Sequence, residues 1–123
     1  MIACGWESHR EHVRANRWLS RAKSFATCSI TQMGFLRVSL SPAFGASFEQ
    51  AMAALEAILR LGSHRFLRDA TRAQSLPRIE TGKEVTDAHL VRLARRYRLK
   101  LATFDGRLLE KSWARGVADD PTR

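Results

Sequence analysis

The chain has 123 residues, with 21 Lys+Arg against 12 Asp+Glu, a formal net charge of +9 and a sequence pI near 11.0. That length suits one domain with a real core, and 45% hydrophobic with 27% charged residues excludes an intrinsically disordered composition. No apolar run approaches the roughly 18 residues of a membrane span, and MIACGWESHREH lacks the basic and apolar regions of a secretory signal, so a soluble, cytoplasmic protein is expected.

Residues 7–23 read as a helix, because Ala15, Trp18, Leu19 and Ala22 form an i, i+3, i+4, i+7 stripe. The apolar FATC at 25–28 is expected as a buried strand. Ser29 or Thr31 is then expected to cap a helix running to Val38. Ser41-Pro42-Ala43-Phe44-Gly45 reads as a loop. The clearest helix follows: Ser47 and Gln50 form a capping box, Phe48, Met52, Leu55 and Leu59 share one face, and Gly62 ends it.

HRFL at 64–67 is a short strand candidate, and 72–84, with Pro77 and Gly82, reads as a connection. Thr86 or Asp87 is expected to cap a helix bearing Leu90, Val91, Ala94 and Tyr97. LKLATF at 99–104 follows as an apolar strand, closed by an Asp105-Gly106 turn. The tail from Ser112 is polar apart from Trp113 and Val117. Helices alternating with short apolar strands predict an α/β domain with a mostly parallel sheet.

A high pI favours a polyanionic partner, because Lys and Arg displace phosphate counterions. The basic residues are spread, with concentrations at 14–23, 60–72 and 92–100, so solubility or an acidic protein partner accounts for the charge equally well. Cys4 and Cys28 lie far apart without a C-x-x-C and are expected as free thiols. His9 and His12 have the i, i+3 spacing of two metal ligands, but nothing completes the set, and a solvated helix face is the plainer reading.

Asp87 opens a helix and Asp105 follows the strand that this helix feeds. In open α/β sheets ligands gather at the carboxyl ends of strands, so the two carboxylates can converge on a hard cation. A helix cap and an Asp-Gly turn explain the same two residues without any ligand.

The runs WESHREHVRANRWL (6–19), ATCSITQMGFLRVSLSPA (26–43) and VTDAHLVRLARRYRLKLATFDGRL (85–108) resemble PIN-domain toxins of the VapC type over nearly the whole chain. The pair TDAHL…LATFD is the most specific part of the likeness. The resemblance implies a PIN-like three-layer α/β domain over 1–123, with a mostly parallel sheet flanked by helices. It also implies a Mg²⁺- or Mn²⁺-dependent endoribonuclease acting on an RNA substrate, a cognate antitoxin and a homodimer. It assigns Asp87 and Asp105 as metal-binding acids and Thr103 as a hydroxyl beside them. Gln32 falls where the family carries a helix acid; it can orient water or phosphate but adds no charge. Met1-Ile2-Ala3-Cys4-Gly5-Trp6 looks like the stretch after the family's first strand, so that strand and its Asp are expected to be missing. A chain without them is expected to be marginally stable alone and to hold metal weakly. A catalytically dead pseudo-toxin that binds an antitoxin is the alternative, with Met33, Phe35 and Leu36 as candidates for its surface. A basic RNA-binding domain is the third reading.

Overall fold

The computed structural model describes residues 12–22 and 24–121, with side chains from Arg14. The thiol of Cys4, His9, the side chain of His12 and the first half of the WESHREHVRANRWL run lie outside the described residues. The chain divides into two compact units, Met1–Arg68 and Asp69–Arg123.

The first unit runs α1 (His12–Arg21), β1 (Ser24–Cys28), α2 (Ser29–Ser39), α3 (Phe48–Leu59) and β2 (Ser63–Leu67). Strands β1 and β2 pair in parallel, Phe25 opposite His64 and Thr27 opposite Phe66. The α1 stripe behaves as its spacing predicts: Ala15 and Leu19 are buried, and Trp18 and Ala22 are half-buried. Leu19, Phe35, Leu55 and Ile58 form the core of this unit.

Helix α2 starts one residue after the strand. Its N-cap is Cys28, not Ser29 or Thr31. Thr31 instead sits at the third helical position and accepts the Cys28 backbone N–H at 2.9 Å, the return half of a capping box. The capping box of α3 is as expected: Gln50 N–H donates to Ser47 Oγ at 3.1 Å and Ser47 N–H to Gln50 Oε1 at 2.9 Å. Its buried face overlaps the expected one but is turned from it: Leu55 is buried and Leu59 packs against the core, yet Ala51 and Ile58 are the other buried residues, Met52 is half-buried and Phe48 is 57% exposed. FEQAMAALEAIL is apolar on most sides, so periodicity fixes the helix but not its phase. Gly62, at φ 124, turns the chain into β2 in backbone space open chiefly to glycine.

The second unit runs α4 (Val85–Arg96), β3 (Leu101–Ala102), α5 (Gly106–Leu109) and β4 (Ala118–Asp119), with single 3₁₀ turns at Ala73–Ser75, Gly82–Glu84 and Ser112–Ala114. Strands β3 and β4 are also parallel. Val91, Ala94, Leu108, Ala114 and Val117 form the core, with Leu101 and Trp113 packed against it. The expected strand over 99–104 shrinks to two residues. Leu99 is spent on the end of α4: its N–H bonds Ala94 O at 2.9 Å while Arg98 N–H bonds Arg95 O at 3.1 Å. That is a Schellman closure, with Arg98 left-handed at φ 57. Two basic side chains fasten the tail: Arg95 donates to Trp113 O at 3.2 Å and Lys100 to Gly116 O at 2.6 Å. Among the described residues no helix is long and apolar enough to cross a membrane.

Candidate active site

Neither Thr86 nor Asp87 caps α4. The N-cap is Glu84, and Asp87 is the third helical residue, inside the first turn. Glu84 turns its carboxylate back instead, accepting Glu80 N–H at 3.1 Å and the Lys111 ammonium at 2.6 Å. The lysine contact, with that backbone bond, holds the Glu84 carboxyl below its usual range, and Glu84 in turn raises Lys111.

Asp87 is half-buried. Burial pushes its carboxyl pKa up, and the negative charges of Asp105 and Glu84 push it further. A first-turn position favours an anion through the helix dipole, but here desolvation and like charge prevail. Asp87 and Asp105 are therefore close enough for their charges to interact, as converging metal ligands must be.

Asp105 is an N-cap, not the corner of an Asp-Gly turn. Its Oδ1 accepts Arg107 N–H at 2.9 Å and Leu108 N–H at 3.4 Å, starting α5. Thr103 Oγ1 accepts the Asp105 N–H at 3.0 Å, and Thr103 N–H continues the β3–β4 ladder to Asp119 O at 3.0 Å. The expected hydroxyl thus sets the backbone that carries the acid at the carboxyl end of a strand. With Oδ1 committed to the cap, Oδ2 is the oxygen of Asp105 suited to a ligand.

Gln32 lies in the other unit, in the second half of a short polar chain. Its Nε2 donates to Thr27 Oγ1 at 2.9 Å, and the same hydroxyl lies 2.6 Å from His64 Nε2. Of the apolar residues considered for a partner surface, Met33 is 59% exposed, Leu36 is half-buried and Phe35 belongs to the core.

Sequence reasoning missed Thr27, His64, Asp69, His89, Glu84 and Lys111. Asp69 Oδ2 meets His89 Nε2 at 2.5 Å and its Oδ1 accepts Thr71 N–H at 2.9 Å. Burial works against the Asp69 charge, but Thr71 and His89 outweigh it and lower the pKa. The partners in these pairs are 20 to 37 residues apart, so no spacing pattern links them.

Two carboxylates of this kind suit a hard divalent cation such as Mg²⁺, which binds through one or two carboxylates and keeps several waters. Among the described residues no group of three or more His, Cys, Asp or Glu comes together. Protein ligation of such an ion by these residues would therefore rest on the two carboxylates.

The PIN-domain family model matches residues 2–114. The chain belongs to the PIN-domain family. It is 38% identical over 112 residues to "Ribonuclease VapC38" of Mycobacterium tuberculosis, covering 85% of this chain and 79% of the relative. It is also 34% identical over 130 residues to "Ribonuclease VapC39" of that species, covering 93% and 89%. "Ribonuclease VapC44" matches at 30% over 107 residues, 79% of this chain and 75% of that protein. The expected VapC-type PIN assignment and α/β fold class are thereby borne out.

Proposed function

We propose that this chain is the toxin of a VapC-type toxin–antitoxin pair, a single cytoplasmic PIN domain that cleaves RNA phosphodiester bonds with Mg²⁺ or Mn²⁺. The observation that carries the site assignment is the half-buried Asp87 carboxylate under the charges of Asp105 and Glu84. Such an arrangement is costly without a cation and favourable with one. Family membership and ribonuclease-named relatives support the reaction class.

In this reading Asp87 and Asp105 would hold the ion, which would supply Lewis acidity and an activated water when bound. Thr103 keeps Asp105 in register through its backbone. Gln32 orients water or a phosphate oxygen through its carboxamide. Exposed arginines such as Arg92 and Arg96 hold the RNA backbone. The cognate antitoxin and a second toxin copy are the protein partners. The neutral Gln32 favours one competing reading, a pseudo-toxin that binds its antitoxin and cleaves nothing.

The test is RNA cleavage in Mg²⁺ by the wild type, Asp87→Asn and Asp105→Asn, with folding followed by circular dichroism. Wild-type cleavage that disappears in both variants while the fold persists supports the enzyme. Full cleavage by either variant removes the site assignment, and no cleavage by the wild type in Mg²⁺ or Mn²⁺ leaves the pseudo-toxin.

A further inference from the structure

His64 is a half-buried titratable group that the proposed chemistry does not use, and Thr27 is one of the few buried polar side chains, 4% exposed. Both adjoin Gln32. The parallel register places His64 opposite Phe25, two residues before Thr27. The imidazole lies 5.2 Å from the Phe25 ring, tilted by 48°, and reaches diagonally to the Thr27 hydroxyl. The immediate passage from β1 into α2 brings Gln32 back over Thr27 from five residues away.

A hydroxyl has one proton and two lone pairs, so a threonine that gives its proton to one partner can only accept from the other. The Gln32 amide nitrogen can only donate, and it does so to Thr27 Oγ1 at 2.9 Å. The Thr27 proton is then available to His64 Nε2, 2.6 Å away, when that nitrogen is the unprotonated one, which gives the order Gln32 N–H to Thr27 O–H to His64 Nε2.

We propose that His64 and Thr27 are positioning residues: His64, as the Nδ1–H tautomer, takes the Thr27 proton, and Thr27 can then only accept from residue 32. This rests on the reading that Gln32 belongs to the ribonuclease site. The chain fixes the Gln32 amide with its NH₂ inward and leaves Oε1 to accept a hydrogen bond from the reacting water. An ionised Glu in place of Gln32 offers no donor, so the whole chain would have to reverse and His64 would have to move its proton to Nε2. Burial lowers the imidazole pKa, which favours the neutral ring with one nitrogen able to accept.

The ¹⁵N shifts of His64 in the full chain, measured where the imidazole is neutral, report the tautomer without any cleavage. The expected results are an unprotonated Nε2 in the wild type and in Thr27→Ser, and a protonated Nε2 in Gln32→Glu. With RNA, Thr27→Val is expected to lower kcat about tenfold at unchanged KM, the worth of one hydrogen bond. Thr27→Ser restores the rate, and Thr27→Val costs nothing further when added to Gln32→Ala. A wild-type Nε2–H, a Gln32→Glu spectrum with the wild-type tautomer, or losses in Thr27→Val and Gln32→Ala that multiply would overturn the proposal. The arms separate the two claims: a wild type that cleaves nothing but shows these tautomers removes the ribonuclease reading and supports the chain direction. Cleavage lost in Asp87→Asn beside a reversed tautomer does the opposite.

Discussion

Without a cation, Asp87 works against folding. Its carboxyl pKa is raised from 3.8 by burial and by the neighbouring charges, so the native state holds this proton more tightly than the unfolded chain does. Stability therefore falls as pH rises from about the ordinary carboxylate value through the raised one, and the full cost is present above it. Asp69 has the opposite sign: its lowered pKa stabilises above the ordinary value and is lost as pH falls through the lowered one. Asp87→Asn is accordingly expected to raise Tm at neutral pH in chelator, with the advantage fading as pH falls through the raised value and gone below about pH 4. Added Mg²⁺ is expected to raise the wild-type Tm by mass action and to leave Asp87→Asn nearly unchanged. An Asp87→Asn protein that melts lower than the wild type in chelator would show that the carboxylate is structural. The acids themselves were legible, because TDAHL and TFD carry them as words. Their settings were not: Glu84 as the cap, Lys111 as its partner and the Asp69–His89 pair depend on contacts that local spacing does not encode.

At the scale of elements, local chemistry was read well and phase was not. The Ser47–Gln50 box was visible because capping is decided within four residues. The inward face of α3 depends on what packs beside it, and the extent of β3 depends on a two-residue partner near the other end of its unit. The left-handed closure of α4 was hidden for another reason. Arg98 occupies a position where glycine is the usual residue, so the sequence carried no stop signal there. Its side chain bears a steric cost that glycine would not. Arg98→Gly is expected to raise stability by up to about 1 kcal/mol, read as a higher urea midpoint at unchanged m-value. A loss of stability would mean that the guanidinium makes a contact worth more than the strain.

For the whole molecule, charge is distributed rather than polarised. Nine basic and four acidic residues precede residue 69, and twelve and eight lie from residue 69 onward. RNA held by such a surface is expected to be strongly salt-sensitive. The Asp87→Asn variant, expected not to cleave, should lose about tenfold in affinity when salt doubles, if about five single-strand phosphates are neutralised. A flat salt response would place the charge outside the RNA contact. The same surface is chemically lopsided, with 17 arginines and only four lysines. Two of those lysines are occupied, Lys100 on Gly116 O and Lys111 on Glu84 at the head of the helix that carries Asp87. Guanidinium charge neither titrates near neutrality nor yields to acetylation. Lysine acylation would therefore leave a positive charge carried wholly by arginine, 17 against 12 acids; it would also act on shape, unfastening the tail and the entrance to the Asp87 helix while an attraction for polyanions remained.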